Sequence, residues 1–489
     1  MVETKNYTIH LLINNEEVRA DMYTEIRDPG RLTEVVGTVA LGNANHVEQA
    51  VQAAHKAFLS WRQVSLEKRS ELLLKAADLL EEKAEFLAPL MARETGILLS
   101  KCKGEIPAAA GVVRSTVHKA RTFLDPEIHE NDHTWISIEK VPLGVIAGLP
   151  AWNVPIAIAM SKVAPILITG NTVVVKPSPN ASIALSIILK EMAELFPPGV
   201  INIVHGGAEV GAALTSHPLV RKVSLTGGGV TASQIMRSAA NSLKRVHFEL
   251  GGNDPAIILD DANLEEVIPK VVEGAFNRSG QVCVAMKRVY IPEKLFKDAC
   301  DLFVHYVNQF KIGYELDTNA TFGPVNNKNQ YRYVKELIEQ SKQGGAKVLE
   351  LGEKLEPENW ENGYYISPTV VLDPDPELDV VTREQFGPVV PLVCYRTVEE
   401  VIYLANNTEY GLGSTVWTTD IERGLSIARQ IEAGMTGING TIDSPLGFLH
   451  VPFGGVKQSG IGWERGEAGL REFVDFHGIT HHKTINHLL

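Results

Sequence analysis

The strongest constraint on the fold is a regular alternation of short apolar segments and helical segments between residues 144 and 225. Apolar strands are predicted at 144–149, 172–176, 201–204 and 220–225. Helices are predicted over 155–169, then up to residue 195 and up to residue 215. Strands and helices that alternate at this spacing are typical of a doubly wound parallel sheet.

A second alternation follows in the C-terminal half and predicts a second α/β domain. Its strands are expected at 256–259, 287–291 and 388–395, and its helices at 265–278, 293–310 and 327–343. Before the first alternation, residues 6–40 indicate short strands, and 44–95 and 104–123 have helical apolar spacing. The polar segment 125–142 and the tail from Phe473 are both strand-like, so we expect them to pair with each other.

Composition places the chain among large globular proteins and argues against two classes of partner. The 489 residues are 44% hydrophobic and 21% charged, which suits two or three domains. The net charge of −13 and the lack of a Lys/Arg block disfavour nucleic acid and anionic membranes as partners. The first residues lack a secretory signal and no apolar run reaches about 18 residues, so we expect no membrane span.

The cysteines indicate a reducing compartment. Cys102, Cys283, Cys300 and Cys394 are far apart, with no Cys-x-x-Cys pair, which argues against a disulfide framework or a zinc ribbon. The expected compartment is therefore the cytosol. No metal site is expected either, because the spacing of the C-terminal histidines does not bring them to one face of a strand. These histidines are His477, His481, His482 and His487.

Cys283 stands out by its sequence context. A single cysteine is more often a small apolar core residue than a nucleophile. Here it follows Gly280-Gln281-Val282, and the stretches 149–155, 247–253 and 384–388 supply an amide, an acid and a second acid. A thiol, a carboxylic acid among apolar residues and a side-chain amide together indicate covalent acyl chemistry.

Glycine-rich turns predict a nucleotide site. Gly206, Gly207 and Gly211 follow the predicted strand 201–204, and Thr226-Gly227-Gly228-Gly229 follow the adjacent strand 220–225. Such glycines let backbone N–H groups approach a phosphate at a helix N-terminus, although each turn alone is as often only a tight turn. Lys176 ends a third strand, where open α/β sheets bind ligands. The three features together favour a nucleotide crevice.

Seven motifs occur in an order that resembles the NAD(P)-dependent aldehyde dehydrogenase superfamily. They are Pro150-Ala151-Trp152-Asn153, Val174-Val175-Lys176-Pro177-Ser178, Leu225-Thr226-Gly227, Phe248-Glu249-Leu250-Gly251-Gly252, Gly280-Gln281-Val282-Cys283, Glu384-Gln385-Phe386-Gly387-Pro388 and Pro452-Phe453-Gly454-Gly455-Val456-Lys457-Gln458-Ser459-Gly460. The resemblance extends from about residue 20 to the C-terminus. Each motif is weak alone, but seven in register are highly specific.

The resemblance implies two doubly wound Rossmann-like α/β domains and a small β oligomerisation arm. The cofactor-binding domain would comprise residues 1–122 and 143–251, the catalytic domain 252–455, and the arm 123–142 and 468–489. The arm and the tail would each leave an unpaired strand edge on a monomer, which predicts a homodimer or homotetramer.

The resemblance also implies a role for each matched residue. Cys283 matches the nucleophile, Glu249 the general base, and Asn153 the amide that holds an oxyanion together with the Cys283 N–H. Cofactor contacts are implied for Trp152, Lys176, Pro177, Ser178, Gly207, Gly211, Thr226, Gly227, Gly228, Leu250, Glu384 and Phe386. The implied reaction oxidises a small aldehyde to a carboxylic acid through a cysteine thiohemiacetal and a thioester. NAD is the expected cofactor, with NADP as the alternative.

Five positions depart from the family pattern. Gly228-Gly229 stand where the family usually has Ser-Thr, Ala232 replaces a later glycine, and Asn253 replaces a frequent lysine. Pro179 stands where many NAD-preferring members carry a glutamate. These changes leave the three catalytic positions intact and predict weak discrimination between NAD and NADP.

Other interpretations remain open beside hydrolytic aldehyde oxidation. A CoA-acylating relative would pass the thioester to CoA, but such enzymes typically lack a glutamate at the position of Glu249. A thiol hydrolase would need a histidine base, and none of the 15 histidines stands in a recognised context. A non-catalytic relative is disfavoured by the intact Cys283, Glu249 and Asn153.

The substrate is left open. Val154, Ile158 and Ser161 stand where the family often has large aromatic residues, which predicts a roomy tunnel. Arg278 is expected either to meet a substrate carboxylate or to form a structural ion pair. Aromatic aldehydes, aliphatic aldehydes and semialdehydes all fit these residues.

Overall fold

The N-terminal region forms short strands followed by four helices. The computed structural model describes residues 6–441 and 450–483. The first strands are β1 (Tyr7–Ile9), β2 (Leu11–Ile13), β3 (Glu16–Val18), β4 (Met22–Asp28) and β5 (Arg31–Leu41). The helices are α1 (Ala44–Trp61), α2 (Leu66–Glu82), α3 (Ala84–Thr95) and α4 (Leu99–Phe123). A capping box fixes the start of α1, because the backbone N–H groups of Asn43 and His46 donate to each other's side chains.

The first large sheet winds outward from β8 in both directions. Its parallel strands are β8 (Val145–Leu149), β9 (Thr172–Val175), β10 (Ile201–Ile203), β11 (Val220–Thr226) and β12 (Arg245–Glu249). They lie in the order β12-β11-β8-β9-β10, with antiparallel β2, β3 and β22 (Gly460–Ile461) at the edges. The connecting helices are α5 (Pro155–Ile168), α6 (Ile183–Ala193), α7 (Ala208–Ser216) and α8 (Gly229–Ala240). The doubly wound sheet is therefore confirmed.

A second sheet confirms the second α/β region. Its described strands are β13 (Pro255–Ile258), β14 (Arg288–Pro292), β16 (Lys347–Glu350), β18 (Thr369–Leu372), β19 (Val389–Tyr395), β20 (Gly413–Trp417) and β21 (Met435–Ile438). They lie in the order β16-β18-β19-β14-β13-β20-β21, and the β16–β18 pair is antiparallel. The helices are α9 (Leu264–Phe276), α10 (Glu293–Val307), α11 (Lys328–Gln343), α12 (Asp379–Thr382), α13 (Val398–Asn406) and α14 (Ile421–Ala428). The short strands β15 (Lys311–Ile312) and β17 (Glu353–Lys354) pair with each other.

The predicted arm pairs with the tail. Strands β6 (Glu127–Glu130), β7 (Thr134–Pro142) and β23 (Val474–His482) form an antiparallel sheet in the order β23-β7-β6. Helix α15 (Gly466–Arg471) precedes β23. The predicted ranges also include residues 1–5, 442–449 and 484–489, which lie outside the described residues, as does His487. Within 6–441 and 450–483, none of the helices is long and apolar enough to cross a membrane.

Two of the predicted secondary-structure assignments are wrong. The helix predicted over 265–278 ends at Phe276, because Arg278 and Ser279 adopt the left-handed conformation with φ of 52° and 57°. Strand β12 is absent from the predicted strands, although it lies inside the first sheet beside β11. Its buried His247 interrupts the apolar pattern that indicates an interior strand.

Candidate functional site

The carboxyl ends of five parallel strands bring most of the predicted site residues to one edge of the first sheet. Parallel strands end at the same edge, which is where open α/β sheets bind ligands. The residues there are Trp152 and Asn153 after β8, Lys176, Pro177 and Ser178 after β9, Gly207 and Gly211 after β10, Thr226, Gly227 and Gly228 at the end of β11, and Glu249 and Leu250 at the end of β12.

The two glycine-rich turns do not follow adjacent strands, contrary to the sequence prediction. Strands β10 and β11 are successive along the chain, but β8 and β9 lie between them in the sheet. The reason is the change of winding direction at β8, which sends β10 and β11 to opposite sides. Gly211 lies beside Lys176, since a Cβ added to this glycine would be 3.7 Å from the lysine Cε. Gly227 lies beside Glu249 instead, since its N–H donates to the Glu249 carbonyl at 3.0 Å.

Lys176 is a buried cation without a counter-ion in the described part of the chain. Its side chain follows β9, and the residue is 9% exposed. Burial lowers the pKa of its ammonium group to about 8. A buried ammonium group without acceptors is unfavourable, so this position suits a ligand that supplies hydroxyl or phosphate oxygens.

Pro177 and Ser178 shape the turn that carries Lys176. Pro177 is buried, and Ser178 is half-buried. The Ser178 hydroxyl oxygen accepts from the N–H of Asn180 at 3.3 Å, and its carbonyl accepts from the Ser182 hydroxyl at 2.7 Å. The turn is thus held by its own side chains before any ligand binds.

The N-terminus of α8 faces open space. Gly228 is the N-cap residue of this helix, and a Cβ added to Gly228 or Gly229 would meet no atom within 4 Å. The hydroxyl of Thr226 is buried and has no hydrogen-bond partner among the described residues. Free N–H groups at a helix start and the helix dipole favour a negatively charged group. The arrangement therefore fits the pyrophosphate of a dinucleotide.

The segment before Cys283 has a left-handed backbone over three residues. Arg278, Ser279 and Gly280 have φ values of 52°, 57° and 73°. For the two non-glycine residues this conformation costs about 1–2 kcal/mol each. Gly280 is required here, because a Cβ at this position would overlap the carbonyl of Gly387. The close approach of these two backbones fixes the segment 277–283, here called the cysteine loop, against the turn that contains Gly387.

Asn153 is fixed beside the cysteine loop. The Nδ2 atom donates to the carbonyl of Gln281 at 3.0 Å, and a carboxamide retains a second N–H for another acceptor. Arg278 donates to the Asn153 carbonyl at 3.1 Å and pairs with Glu105 at 3.0 Å. The Glu105 carboxylate also caps α5 by accepting from the N–H of Ile156 at 2.9 Å. Arg278 therefore forms a structural ion pair, one of the two roles that the sequence leaves open.

The Cys283 side chain lies among acidic groups and one lysine. The pKa of its thiol is raised to about 12, mainly by burial; Lys287 lowers this pKa, and Asp254, Glu249 and Glu384 raise it. The Lys287 ammonium group donates to the carbonyls of Val282, at 2.9 Å, and Cys283. Sequence reasoning missed Lys287, although a lysine four residues after the cysteine, directly after an apolar run, is a usable signal. At neutral pH the thiol thus needs a base to become a thiolate.

The Glu249 carboxyl group is buried and lacks hydrogen-bond partners among the described residues. The residue is 3% exposed, and neither carboxyl oxygen has a hydrogen-bond partner among the described residues. His247 Nε2 lies 3.4 Å from Oε1. Burial raises the pKa of Glu249 well above its usual range; Glu464 adds to this effect, while Lys162 and Arg465 oppose it. A raised pKa makes the carboxylate a stronger base than an ordinary glutamate.

The second sheet contributes a fixed clamp near the same edge. Glu384 Oε1 accepts from the N–H of Gly252 at 3.0 Å and lies 3.6 Å from Lys287 Nζ. Phe386 has a φ of 46° and contacts Trp152 edge-on, with ring centroids 5.4 Å apart. The structure therefore places Glu384 and Phe386 beside the residues that follow β8 and β12.

The proposed substrate side lies on α5. Val154 precedes this helix, and Val154, Ile158 and Ser161 recur at the spacing of one helical face. All three are half-buried. The roomy tunnel stays a prediction.

Known proteins resemble the whole chain. Residues 17–479 match the aldehyde dehydrogenase family. The chain is 34% identical over 480 residues to α-ketoglutaric semialdehyde dehydrogenase of Bacillus subtilis, which covers 97% of this chain and 98% of that one. Betaine aldehyde dehydrogenase of Staphylococcus aureus in complex with NAD⁺ superposes with a TM-score of 0.92 and 32% identity, over 96% and 94% of the two chains. A 3,6-anhydro-L-galactose dehydrogenase in complex with NADP superposes with a TM-score of 0.92 and 30% identity, over 97% and 100%.

These matches confirm the family and the fold that the motif series predicts, and with them the reaction class. The likeness extends over nearly all of this chain and of its relatives, so it concerns the whole architecture rather than a single domain. The chain belongs to the aldehyde dehydrogenase family, enzymes that oxidise aldehydes to carboxylic acids.

Proposed function

We propose that this chain oxidises an aldehyde to a carboxylic acid with NAD(P), using Cys283 as the nucleophile and Glu249 as the general base. The observation that carries the proposal is the convergence of a thiol, an amide donor and an unsatisfied carboxyl group at one edge of the sheet. Asn153 lies one hydrogen bond from the cysteine loop, and Glu249 is close enough to raise the pKa of the Cys283 thiol.

In the first half-reaction Cys283 attacks the aldehyde carbon. Its thiol proton must first pass to solvent water, and the positive charge of Lys287 opposes the burial that disfavours the thiolate. The carbonyl oxygen then becomes an oxyanion, which the second N–H of Asn153 and the Cys283 N–H stabilise. Loss of one such donor typically slows a reaction by about 100- to 1000-fold.

In the second half-reaction water hydrolyses the thioester on Cys283. Glu249 takes a proton from the water, the oxygen bonds to the acyl carbon, and the carbon–sulfur bond breaks. The carboxylic acid leaves and the Cys283 thiol is restored. The Glu249 oxygens suit this step, because no hydrogen bond within the described residues occupies them.

The residues at the strand ends fit a dinucleotide. Lys176 and Ser178 would hold the adenosine ribose, and Gly207, Gly211 and the turn Thr226-Gly227-Gly228 the phosphates. Glu384 would hold the nicotinamide ribose, with Trp152, Leu250 and Phe386 around the nicotinamide. When bound, NAD(P)⁺ accepts the hydride that leaves the aldehyde carbon. The unpaired Lys176 ammonium group and the open N-terminus of α8 support this assignment.

Both NAD and NADP are proposed as cofactors. An acidic side chain near the adenosine ribose would repel the 2′-phosphate of NADP. Pro179, at the turn after Lys176, is exposed and supplies no such charge. One of the similar structures holds NAD⁺ and another holds NADP.

The test is NADH or NADPH formation at 340 nm with propanal, benzaldehyde and succinic semialdehyde, with and without CoA. The expected result is turnover of at least one aldehyde without CoA, with the free acid as product. Strict dependence on CoA would favour the CoA-acylating alternative. The absence of reduction with every aldehyde and both cofactors would contradict the proposal.

We also propose an assignment of the parts of the chain. Residues 1–122 and 143–251 would bind the cofactor, 252–455 would carry the nucleophile, and 123–142 with 468–489 would form the oligomerisation arm. Among the described residues, the two outer strands of the β23-β7-β6 sheet each have one unpaired edge, and Ile128, Phe476 and Ile479 are exposed there. Such edges are usually covered, so a homodimer or homotetramer is expected.

Light scattering at micromolar protein measures the assembly, and a monomer mass would contradict the oligomer. We propose the cytosol as the compartment, since all four cysteines are free thiols.

A further inference from the structure

We propose that His247 is a positioning residue that donates a hydrogen bond to Glu249 and thereby sets the pH at which Glu249 acts as a base. This inference rests on the proposed function, because it concerns the same carboxylate. His247 and Glu249 are two residues apart on β12, so their side chains project from the same face of the strand.

His247 has a partner on one ring nitrogen and faces Glu249 with the other. Its Nδ1 atom lies 2.9 Å from the hydroxyl of Ser224, which is its directly paired neighbour on β11. Its Nε2 atom lies 3.4 Å from Glu249 Oε1, longer than a well-formed hydrogen bond. Among the described residues, neither this nitrogen nor either carboxyl oxygen has another hydrogen-bond partner. Contacts of this kind are often long before substrate binds and tighten during the reaction.

The direction of the hydrogen bonds follows from Lys162. Its ammonium group pairs with Glu464 at 2.8 Å and lies 3.3 Å from the Ser224 hydroxyl oxygen. An ammonium group can only donate, so Ser224 accepts from Lys162 and keeps its own proton for another acceptor. His247 Nδ1 is the acceptor that the described residues offer. A ring that accepts at Nδ1 carries its proton on Nε2, which is the nitrogen that faces Glu249.

The imidazole ring is held in place and stays neutral. His247 is 0% exposed, and a Cβ added to Gly462 would lie 2.9 Å from its Cδ2 atom. Its ring also contacts Phe473, with centroids 6.4 Å apart. Burial and the nearby charges of Lys162 and Lys222 lower the pKa of His247 well below its usual value. The ring therefore acts as a fixed neutral donor.

A donor at Oε1 favours the charged form of Glu249. It opposes burial and the acidic groups that face Glu249, which are Glu464 and Glu472, and it acts in the same direction as Lys162 and Arg465. Cys283, near Glu249, and Lys222, near His247, are further titratable groups close to the pair. Without the His247 donor, the pKa of Glu249 rises further, so a higher pH is needed before it can accept a proton from water.

Three variants separate this role from a purely structural one. His247→Phe keeps a planar ring and removes the donor, His247→Gln restores an N–H near the Nε2 position, and Ser224→Ala removes the group that fixes the tautomer. For each, the steady-state rate is measured against pH with NAD and an aldehyde that the wild type turns over. The NADH burst is recorded in parallel as a measure of thioester formation, and far-UV circular dichroism reports the fold.

For His247→Phe we expect that the NADH burst is preserved. The rising limb of its steady-state rate against pH should move to higher pH by about one unit or more. The His247→Gln limb should lie near that of the wild type, and Ser224→Ala should shift it upward by less than His247→Phe does. If His247→Phe fails to fold, the other two variants decide the matter. If the rising limb of His247→Phe lies at the same pH as that of the wild type, the proposed role of His247 is wrong. The same holds for Ser224→Ala when His247→Phe does not fold. A wild type that reduces neither NAD nor NADP with any of the aldehydes overturns the proposed function instead.

Discussion

Two glutamates near Cys283, Glu249 buried and Glu384 half-buried, have different surroundings. Glu249, at the end of β12, has no hydrogen-bond partner among the described residues, whereas Glu384, after α12, accepts from Gly252 and lies 3.6 Å from Lys287. Burial is the main cause of a raised pKa in both. The difference separates a reactive carboxylate from an anchored one, because a buried acid without donors is unfavourable unless it has a chemical task.

The largest effect should come from removing the Cys283 thiol, whose pKa both carboxylates raise. Cys283→Ala should lower kcat/KM for aldehyde oxidation by at least about 1000-fold while NADH binding, measured by fluorescence, persists. Cys394→Ala is the matched control, since this half-buried thiol lies on β19 of the second sheet. Substantial turnover by Cys283→Ala would remove Cys283 from the mechanism.

The next effect tests the reactive carboxylate. Glu249→Gln keeps the shape of the side chain and removes the base, so thioester hydrolysis should slow by about 100- to 10,000-fold. Hydride transfer should suffer less, which gives an NADH burst followed by a slow steady phase in stopped-flow absorbance. The wild-type rate should rise with pH through the raised pKa of Glu249, because only the deprotonated acid accepts a proton. An unchanged steady-state rate in Glu249→Gln would make Glu249 structural.

The anchored carboxylate should behave differently. Glu384→Gln weakens the contact with Gly252 and removes the charge that faces Lys287. Loss of a charged hydrogen bond corresponds to a factor of about 10 to 100 in affinity. We therefore expect the KM for the cofactor to rise by about this factor. The pH limb assigned to Glu249 should stay in place. If Glu384→Gln instead produced the burst expected of Glu249→Gln, the comparison of the two glutamates would be wrong.

The smallest effect concerns cofactor choice at the far end of the crevice. Pro179→Glu should sharpen the preference for NAD over NADP by at least about tenfold, or roughly 1.4 kcal/mol, because the new charge repels the 2′-phosphate. The measurement is the ratio of kcat/KM for the two cofactors before and after the change, with Pro179→Gln as an uncharged control. A wild type that already rejects NADP by several orders of magnitude would contradict this explanation.

The sequence predicts the first sheet well because its information is local. Apolar strands separated by helices, and glycines at strand ends, indicate the doubly wound sheet and the edge where Lys176 and Gly228 lie. The order of the strands is less local. The placement of β8 and β9 between β10 and β11 depends on the direction in which each helix crosses the sheet, which adjacent residues do not specify.

The cysteine side of the site depends on contacts between distant residues, and sequence reasoning finds less of it. The end of α9 at Phe276 results from the left-handed turn that packs Gly280 against Gly387. The contact of Lys287 with Glu384 likewise joins segments that are far apart in the sequence. The motif series points to the functional atoms themselves, whereas the groups that hold them in place, such as those around His247, require the folded chain.

The most direct test of the account is the intact mass of Glu249→Gln after it is mixed with NAD and an aldehyde substrate and then quenched in acid. The account predicts that the protein gains the mass of one acyl group less one hydrogen, and that peptide mapping places this adduct on Cys283. The same treatment of Glu384→Gln should leave little adduct, because Glu249 remains to hydrolyse it. A Glu249→Gln protein that turns over the aldehyde without an adduct, or that carries it on Cys102, Cys300 or Cys394, would contradict the account.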